Sequence, residues 1–188
     1  MLNIFESDVQ HIRLFQRAPG IRIIKYISAI GVDVFEIQFI FRFVLMQIAL
    51  DKIFGATCLA RRNAEKNSIM NVAVINADWL HAIASDSIDI LVSNPPYIDE
   101  QDPHLSQGDV RFEPSSALTA KQEGFADLFY IASHAQQYLN PQGCLLMEHG
   151  WQQAQQVQEF LKMENYKNVD SGKDLAGRER FTFGFHSF

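Results

Sequence analysis

The residues of this sequence best suited to chemistry are Asn94, Pro95, Pro96 and Tyr97, which directly follow an apolar run at residues 88–93. Two adjacent prolines fix the backbone and lack an N–H group, so a strand must end there and the turn after it is stiff. The Asn94 amide both donates and accepts hydrogen bonds, the Pro95 carbonyl is free to accept, and Tyr97 offers a flat aromatic face. Together these groups form a clamp for a planar –NH2 group.

The alternative interpretation is an ordinary turn that ends a strand. Asn-Pro is a common turn dipeptide, and a tyrosine that follows a turn often covers a core. Asn-Pro alone would favour that interpretation. Two adjacent prolines remove conformational freedom that a plain turn does not require, so we favour the functional interpretation of residues 94–97.

The elements that must position this turn are predicted by strand and helix patterns that alternate along the chain. Runs of β-branched and aliphatic residues predict strands at 46–50, 72–75, 88–93, 144–148, 169–170 and 181–183. Amphipathic spacing predicts helices at 55–66, 80–84, 125–139 and 152–163, with a turn at 140–143. The alternation predicts a doubly wound, mostly parallel α/β sheet. Asp51 and Asp78 end two of its strands, at the edge where such sheets bind ligands.

The chain before residue 46 gives weaker patterns. Residues 1–20 have apolar positions spaced for a short amphipathic helix, and residues 21–50 show a confused, strand-like alternation. We assign no chemistry to the helix. Farther along, the polar loop at residues 99–117 is long for a compact domain, and we expect it to be functional or mobile.

Composition indicates one globular domain and disfavours two kinds of partner. The 188 residues are 47% hydrophobic and 20% charged, and the formal net charge is −6. This acidic balance argues against a nucleic-acid partner, since such affinity comes largely from lysine and arginine on phosphates. The apolar run at residues 27–50 is divided by Asp33, Glu36 and Arg42 into pieces too short to span a bilayer. We therefore expect no membrane segment.

The cysteine pattern indicates a reducing compartment. Cys58 and Cys144 are far apart and have no metal-ligand spacing around them. Such residues fit free, buried thiols in the cytoplasm, and no signal peptide is visible. We predict a cytoplasmic monomer without a bound metal.

Several blocks of the sequence resemble the protein-(glutamine) methyltransferases that modify peptide-chain release factors, the HemK/PrmC family. The tetrapeptide at 94–97 is typical of S-adenosylmethionine-dependent methyltransferases that act on planar nitrogens. The block at 108–114, Gly-Asp-Val-Arg-Phe-Glu-Pro, is not shared in this form by adenine methyltransferases. Further matching blocks lie at 51–53, 62–64, 78–79 and 148–151. The resemblance covers roughly residues 50–184, so we expect a partial methyltransferase catalytic domain at 50–188 and a segment unlike the family at 1–49.

The resemblance implies a Rossmann-like fold, S-adenosylmethionine as cofactor and a release factor as protein substrate. Asn94 and the Pro95 carbonyl would accept hydrogen bonds from the substrate glutamine amide, and Tyr97 would flank it. Asp51 would bind the ribose hydroxyls. The implied catalytic residues are Asn94, Pro95 and Tyr97, the substrate-binding residues are these with Pro96 and Arg111, and the cofactor-binding residues are Asp51, Asp78, Trp79, Asn94 and Gly31. Asp78 and Trp79 would hold the adenine, one by hydrogen bonding and the other by packing on its face.

Three of these side chains also have plainer interpretations, and so do three neighbours. Asp51 would otherwise be a solvated carboxylate at a strand end, Trp79 a core residue, and Arg111 a partner in a loop salt bridge. The neighbours His104, Glu113 and Glu148 are equally consistent with turn, loop or strand-end positions. The remaining histidines we interpret as structural.

One part of the family pattern is missing. The first strand of the family should end in a glycine-rich turn about 20 residues before the ribose-binding acid, where backbone N–H groups approach the methionine part of the cofactor. Counting back from Asp51 reaches residues 28–32, in which Gly31 is the only glycine, and the chain contains no Gly-x-Gly. We therefore expect an incomplete first unit and much weakened cofactor binding. We interpret the chain as a truncated or frame-disrupted copy, with reduced or lost activity.

Two other functions remain open at this stage. A nucleic-acid amino-methyltransferase acting on adenine or guanine would use the same tetrapeptide, although the acidic balance disfavours it. A remnant that docks to a release factor without catalysis would use the turn at 94–97 and the loop at 99–117.

Overall fold

The computed structural model describes residues 22–27, 46–106, 108 and 110–187, and its main element is a seven-stranded sheet. The strands of this chain are β1 (Arg22–Ile27), β2 (Met46–Asp51), β3 (Val72–Asn76), β4 (Ile88–Asn94), β5 (Ile98–Asp99), β6 (Thr119–Ala120), β7 (Leu139–Glu148), β8 (Lys167–Lys173) and β9 (Glu179–Phe185). The α-helices are α1 (Phe54–Lys66), α2 (Ser115–Leu118), α3 (Ala126–Ala135) and α4 (Ala154–Met163). Single 3₁₀ turns lie at Pro103–Ser106 and Val110–Phe112.

The sheet has the order β3-β2-β1-β4-β7-β9-β8, with β5 and β6 forming a separate small pair. The first five strands of that order pair in parallel, and β9 pairs antiparallel with both β7 and β8. The predicted doubly wound, mostly parallel sheet is therefore confirmed. The chain runs outward from β1 through β2 to β3 and returns on the other side of β1 as β4. This reversal places a topological switch point between β1 and β4, where such sheets bind ligands.

The structure places one strand, β1, in the part of the chain where the sequence pattern was confused. Residues Arg22–Ile27 pair with β2 on one side and β4 on the other. The sheet thus takes in part of the segment at 1–49, while the division of the chain at residue 50 stays a prediction. The predicted helix at 1–20, the turn at 28–32 and Gly31 lie outside the described residues.

Helices α3 and α4 cover one face of the sheet and build the main core with it. They bury Leu128, Ile131, Val157 and Leu161. Their partners from the strands and the neighbouring loops include Leu50, Ile88, Leu91, Leu139, Leu145 and Met147. Full burial of side chains of this size is worth about 1.5–3 kcal/mol each before the entropy cost of ordering them. A smaller cluster on the opposite face contains Ile90 and Cys144 with Val92, Phe183 and Phe185.

Most predicted elements are confirmed to within a few residues, and two local predictions differ from the structure. Residues 80–84 are turns, not helix, because Trp79 has φ 51° and the following N–H groups bond three residues back, as from Ile83 N to Leu80 O. The turn predicted at 140–143 is a bulge inside β7, since β4 advances from Ile88 to Ile90 while β7 advances from Leu139 to Cys144. The loop at 99–117 holds short elements: part of β5, both 3₁₀ turns and the start of α2.

Candidate functional site

Asp51 is the last residue of β2, and its carboxylate is buried with one oxygen unused. The residue is only 5% exposed, and its Oδ1 accepts a hydrogen bond from the Ile53 N–H at 2.7 Å. Its Oδ2 has no hydrogen-bond partner among the described residues. Burial raises the pKa of the Asp51 carboxyl, against the smaller opposing effect of the Ile53 N–H. A buried acceptor without a partner is costly, so Oδ2 is suited to a ligand that brings a donor.

Asn94 is the last residue of β4 and stands level with Asp51. Leu50 and Ser93, the residues just before them, both pair with Tyr26 of β1. Since one strand separates β2 from β4, the two strand ends are about 10 Å apart, twice the spacing of neighbouring strands. In the part of the chain that the structure describes, no hydrogen bond of the half-buried Asn94 side-chain amide is found. The amide is therefore available to a ligand that lies across the end of β1.

Pro95 and Pro96 are buried, and they carry the chain from β4 to Tyr97 as predicted. Arg180 Nη2 donates to the Tyr97 hydroxyl oxygen at 2.8 Å and to Glu148 Oε1 at 3.2 Å. The hydroxyl in turn donates to Glu148 Oε1 at 3.4 Å. Its single proton is thus committed to the carboxylate, which leaves the ring face as the part that Tyr97 offers a ligand.

The electrostatics of this cluster keep the tyrosine neutral. Burial and the nearby Glu148 carboxylate raise the pKa of the Tyr97 hydroxyl, and Arg180 only partly offsets them. The arginine and the glutamate are themselves mostly buried, at 17% and 25% side-chain exposure. Tyr97 therefore has no role as a base at neutral pH, which agrees with a site that works by holding its ligand.

Asp78 and Trp79 follow β3, at the same sheet edge as Asp51. Asp78 is exposed, while the Trp79 ring is half-buried and lies 5.2 Å from the Tyr130 ring at 44°. Trp79 also lines a cavity of about 30 Å³ with Ser93, whose buried Oγ finds no hydrogen-bond partner within the described ranges. The Trp79 ring packs against the main core, as its plainer interpretation expects, and the adenine-binding roles of both residues stay predictions.

Arg111 is not brought to the turn by any contact recorded for the described residues. It lies in the exposed 3₁₀ turn at 110–112, where its guanidinium is 4.6 Å from the centre of the Phe112 ring. The Phe112 side chain is 75% exposed. The role of Arg111 in substrate binding therefore stays a prediction. Gly31, the remaining predicted cofactor-binding residue, lies outside the described residues.

The other titratable groups take the plain interpretations. His104 pairs with Asp102 at 2.8 Å on the surface. His149 is fully buried between the Gly150 carbonyl and the Thr182 hydroxyl, and burial lowers its pKa, so it stays neutral. Both cysteines are free thiols, and burial raises the pKa of Cys144 to about 12.

Among residues 22–27, 46–106, 108 and 110–187, no group of three or more histidine, cysteine or acidic residues is placed to hold a metal ion. Within the same ranges, no helix has the length and apolar character needed to cross a membrane.

Sequence reasoning missed two residues of the site, Arg180 and Gln153. Arg180 reaches Tyr97 from 83 positions away, and the Gln153 Nε2 donates to the Tyr97 carbonyl from 56 positions away. No local pattern connects residues so distant. The signal that could have found Arg180 is the antiparallel pairing of β7 with β9. This pairing sets Glu148 opposite Phe181, the residue next to Arg180.

The chain is similar to curated proteins of known name over most of its length. A release factor glutamine methyltransferase from Salmonella typhimurium is 49% identical over 136 residues, which are 72% of this chain and 49% of that protein. The protein of the same name from Shewanella oneidensis is 48% identical over 136 residues, 72% of this chain and 48% of its own. The chain thus spans about half the length of the curated relatives it matches. No protein-family model matches it.

Solved structures share the fold. A SAM-dependent methyltransferase from Aquifex aeolicus superposes with a TM-score of 0.63 over 98% of this chain and 91% of that one, at 10% sequence identity. The chain therefore shares the Rossmann-like fold of this methyltransferase structure.

The cluster around Tyr97 predicts a measurable stability difference between two arginine variants. Arg180→Met removes the guanidinium that donates to both the Glu148 carboxylate and the Tyr97 hydroxyl, and we expect it to lower the free energy of unfolding by about 1–3 kcal/mol. Arg62→Met, at an exposed position of α1, should change it by less than about 0.5 kcal/mol. Urea denaturation measures both. Equal effects would contradict the importance assigned to the cluster.

Proposed function

We propose that this chain transfers a methyl group from S-adenosylmethionine to the side-chain amide nitrogen of a glutamine in a peptide-chain release factor. Over 72% of its length, the chain is similar to a release factor glutamine methyltransferase. The observation that carries the proposal is the pair of ligand-ready groups on either side of β1. Among the described residues, Asp51 Oδ2 is a buried acceptor without a partner. Asn94 ends β4 at the same height, and no hydrogen bond of its side-chain amide is found there.

The residues present fit the adenosine part of the cofactor. The unpartnered Asp51 Oδ2 is suited to accept from the ribose hydroxyls, as an acid after the second strand does in dinucleotide-binding sheets. Asp78 and Trp79, after the neighbouring strand, are placed to hold the adenine. When bound, S-adenosylmethionine supplies the electrophilic methyl group of its sulfonium.

The substrate amide would be held by the turn at 94–97. Asn94 Oδ1 and the Pro95 carbonyl both accept hydrogen bonds, so together they bind the two N–H groups of the glutamine –NH2. This draws the nitrogen out of conjugation with its carbonyl and exposes its lone pair. The Tyr97 ring, whose hydroxyl is committed to Arg180 and Glu148, packs against the amide plane.

Catalysis of this kind rests on positioning. An amide nitrogen is a poor nucleophile, and holding it in line with the methyl group at near-attack distance supplies several kcal/mol of the barrier. No general base is required of the chain, which agrees with the neutral Tyr97 and the buried, neutral His149. Forming the C–N bond would break the C–S bond of the sulfonium and leave S-adenosylhomocysteine, and the proton on nitrogen would then leave to solvent.

The compartment and assembly belong to the same proposal. Free thiols at Cys58 and Cys144 are consistent with the cytoplasm, where a release factor is met. We further propose that the chain acts as a monomer without nucleic acid, which its net charge of −6 favours.

A transfer assay with radiolabelled S-adenosylmethionine tests the function. We expect label on release factor, at a rate lowered by the missing glycine-rich turn, and none on DNA or RNA. Label on nucleic acid alone would contradict the proposal in favour of an amino-methyltransferase of nucleic acid. Binding of release factor without any transfer would favour a non-catalytic remnant, which the absence of a Gly-x-Gly turn makes a specific alternative.

Two variants separate the roles of the turn and of the loop that follows it. Asn94→Ala removes the group that orients the amide, so we expect kcat to fall by about 10²–10³-fold or more. Arg111→Ala should mainly raise KM for release factor, because it lies on an exposed turn. Asn63→Ala, at a half-buried position of α1, is the matched control and should leave both constants unchanged. Loss of kcat alone in both the Asn94 and Arg111 variants would contradict the division of roles.

The raised pKa of Asp51 predicts that nucleoside binding depends on pH. The ionised carboxylate accepts from ribose hydroxyls more strongly than the protonated acid does, so adenosine affinity should fall as the pH is lowered through the raised pKa of Asp51. Asp51→Asn should bind more weakly throughout and show no such fall. Asp86→Asn, an exposed residue before β4, should behave as the unmodified chain. Calorimetry between pH 8 and the acid limit of folding measures this, and a pH-independent affinity in the unmodified chain would refute the role of Asp51.

A further inference from the structure

We propose that Gln153 is a positioning residue for the methyl transfer, because its side chain fixes the main chain of Tyr97 and hence the shape of the turn at 94–97. The inference rests on the proposed function, since a positioning role requires a reaction to position. Gln153 touches neither Asn94 nor Pro95 in any recorded contact. It acts on them through the backbone that follows.

The side chain of Gln153 joins three separate loops. Its Nε2 donates to the Tyr97 carbonyl at 3.1 Å and to the Glu123 carbonyl at 3.4 Å, and its Oε1 accepts from the Gly150 N–H at 2.8 Å. Only this orientation of the amide matches a donor to each carbonyl and an acceptor to the N–H. The residue is 9% exposed, so water does not replace these bonds readily. One buried amide therefore holds the turn after β4, the turn before α3 and the turn before α4 together.

Gly124 supports the same carbonyl from a second direction. It has φ +86°, and a Cβ built on it would lie 2.2 Å from the Tyr97 carbonyl oxygen and 2.9 Å from Gln153 Nε2. Only glycine allows the turn at 122–124 to approach so closely. The Tyr97 carbonyl is thus packed against one backbone and hydrogen-bonded to one side chain.

Tyr97 is in this way held at both of its ends. Arg180 and Glu148 bind the hydroxyl, while Gln153 binds the carbonyl. Asn94, on the other side of the two prolines, is held by the pairing of β4 with β1. With both ends of a proline-stiffened turn fixed, the distance between the Asn94 amide and the Tyr97 ring is fixed as well. A displacement near 1 Å in such a site costs up to about 100-fold in rate.

Gln153→Met tests the inference, with Gln156→Met as control. Methionine has the length of glutamine without its hydrogen bonds, and Gln156 is an exposed residue of α4, the helix that begins directly after Gln153. We expect amide hydrogen exchange to be roughly three- to tenfold faster at residues 97–101 in the Gln153 variant only. In the transfer assay, kcat should fall about 10–100-fold while KM for release factor and the affinity for adenosine stay unchanged.

Gln153→Glu adds a readout that a purely structural role would not move. The introduced carboxyl group keeps an acceptor for the Gly150 N–H, but when ionised it sets a negative oxygen against two carbonyls. Protonation restores a donor, so the ratio of kcat in this variant to kcat in the unmodified chain should rise as the pH falls. The ratio for Gln156→Glu should stay constant.

Three results would overturn the inference: unchanged exchange at residues 97–101, faster exchange spread evenly over the chain, or equal kcat in the two methionine variants. Failure of the proposed function gives a different result, in which the unmodified chain transfers no methyl group to release factor. The exchange measurements then decide by themselves whether Gln153 holds the turn.

Discussion

The parallel pairing of β1 with both β2 and β4 is the constraint on which the candidate site depends. Tyr26 of β1 stands opposite Leu50 on one side and Ser93 on the other, so the chain delivers Asp51 and Asn94 to the same height at the sheet edge. Neither strand has to be long or unusual for this to happen. Hydrogen-bond register alone places these two residues, 43 positions apart in sequence, at the same sheet edge on either side of β1.

The other half of the sheet has a supporting role that the site residues alone would not reveal. Glu148 and Arg180 come from β7 and β9, and Gln153 from the start of α4, yet all three bind Tyr97. Mostly buried polar groups are costly when a partner is lost, so Glu148, Arg180 and Gln153 support Tyr97 together. The stability of the fold and the position of Tyr97 are therefore linked. The side chains that bind the tyrosine also connect β7, β9 and the start of α4 to the turn after β4.

Much of this architecture could be predicted from sequence because its signals are local. The apolar runs of β2, β3 and β4 and the double proline after Asn94 each announce their element within a few residues. The helix expected at 80–84 failed because Trp79 adopts a left-handed conformation, which no residue pattern there indicates. The turn predicted at 140–143 was wrong for a similar reason. Pro141 and Gly143 predict a break in the strand, and only the pairing of β7 with β4 shows that the strand continues past them.

The residues of the candidate site likewise divide into those with a local sequence signal and those without one. Asp51 and Asn94 were predicted because each follows a strand directly, whereas Arg180 and Gln153 act across long separations and carry no local signal. The first strand is a third case. Its pattern was too weak to identify, and the sheet nevertheless gives Arg22–Ile27 a defined position between two strong neighbours. Tertiary pairing there overrides weak propensity, as is common for central strands.

The most direct test of the account is a crystal structure of the chain with S-adenosylhomocysteine and a glutamine-containing peptide from a release factor. The account predicts ribose hydroxyls within hydrogen-bond distance of Asp51 Oδ2, and the glutamine amide nitrogen within such distance of both Asn94 Oδ1 and the Pro95 carbonyl. A nucleoside bound away from Asp51, or a glutamine amide that makes no contact with the turn at 94–97, would contradict it.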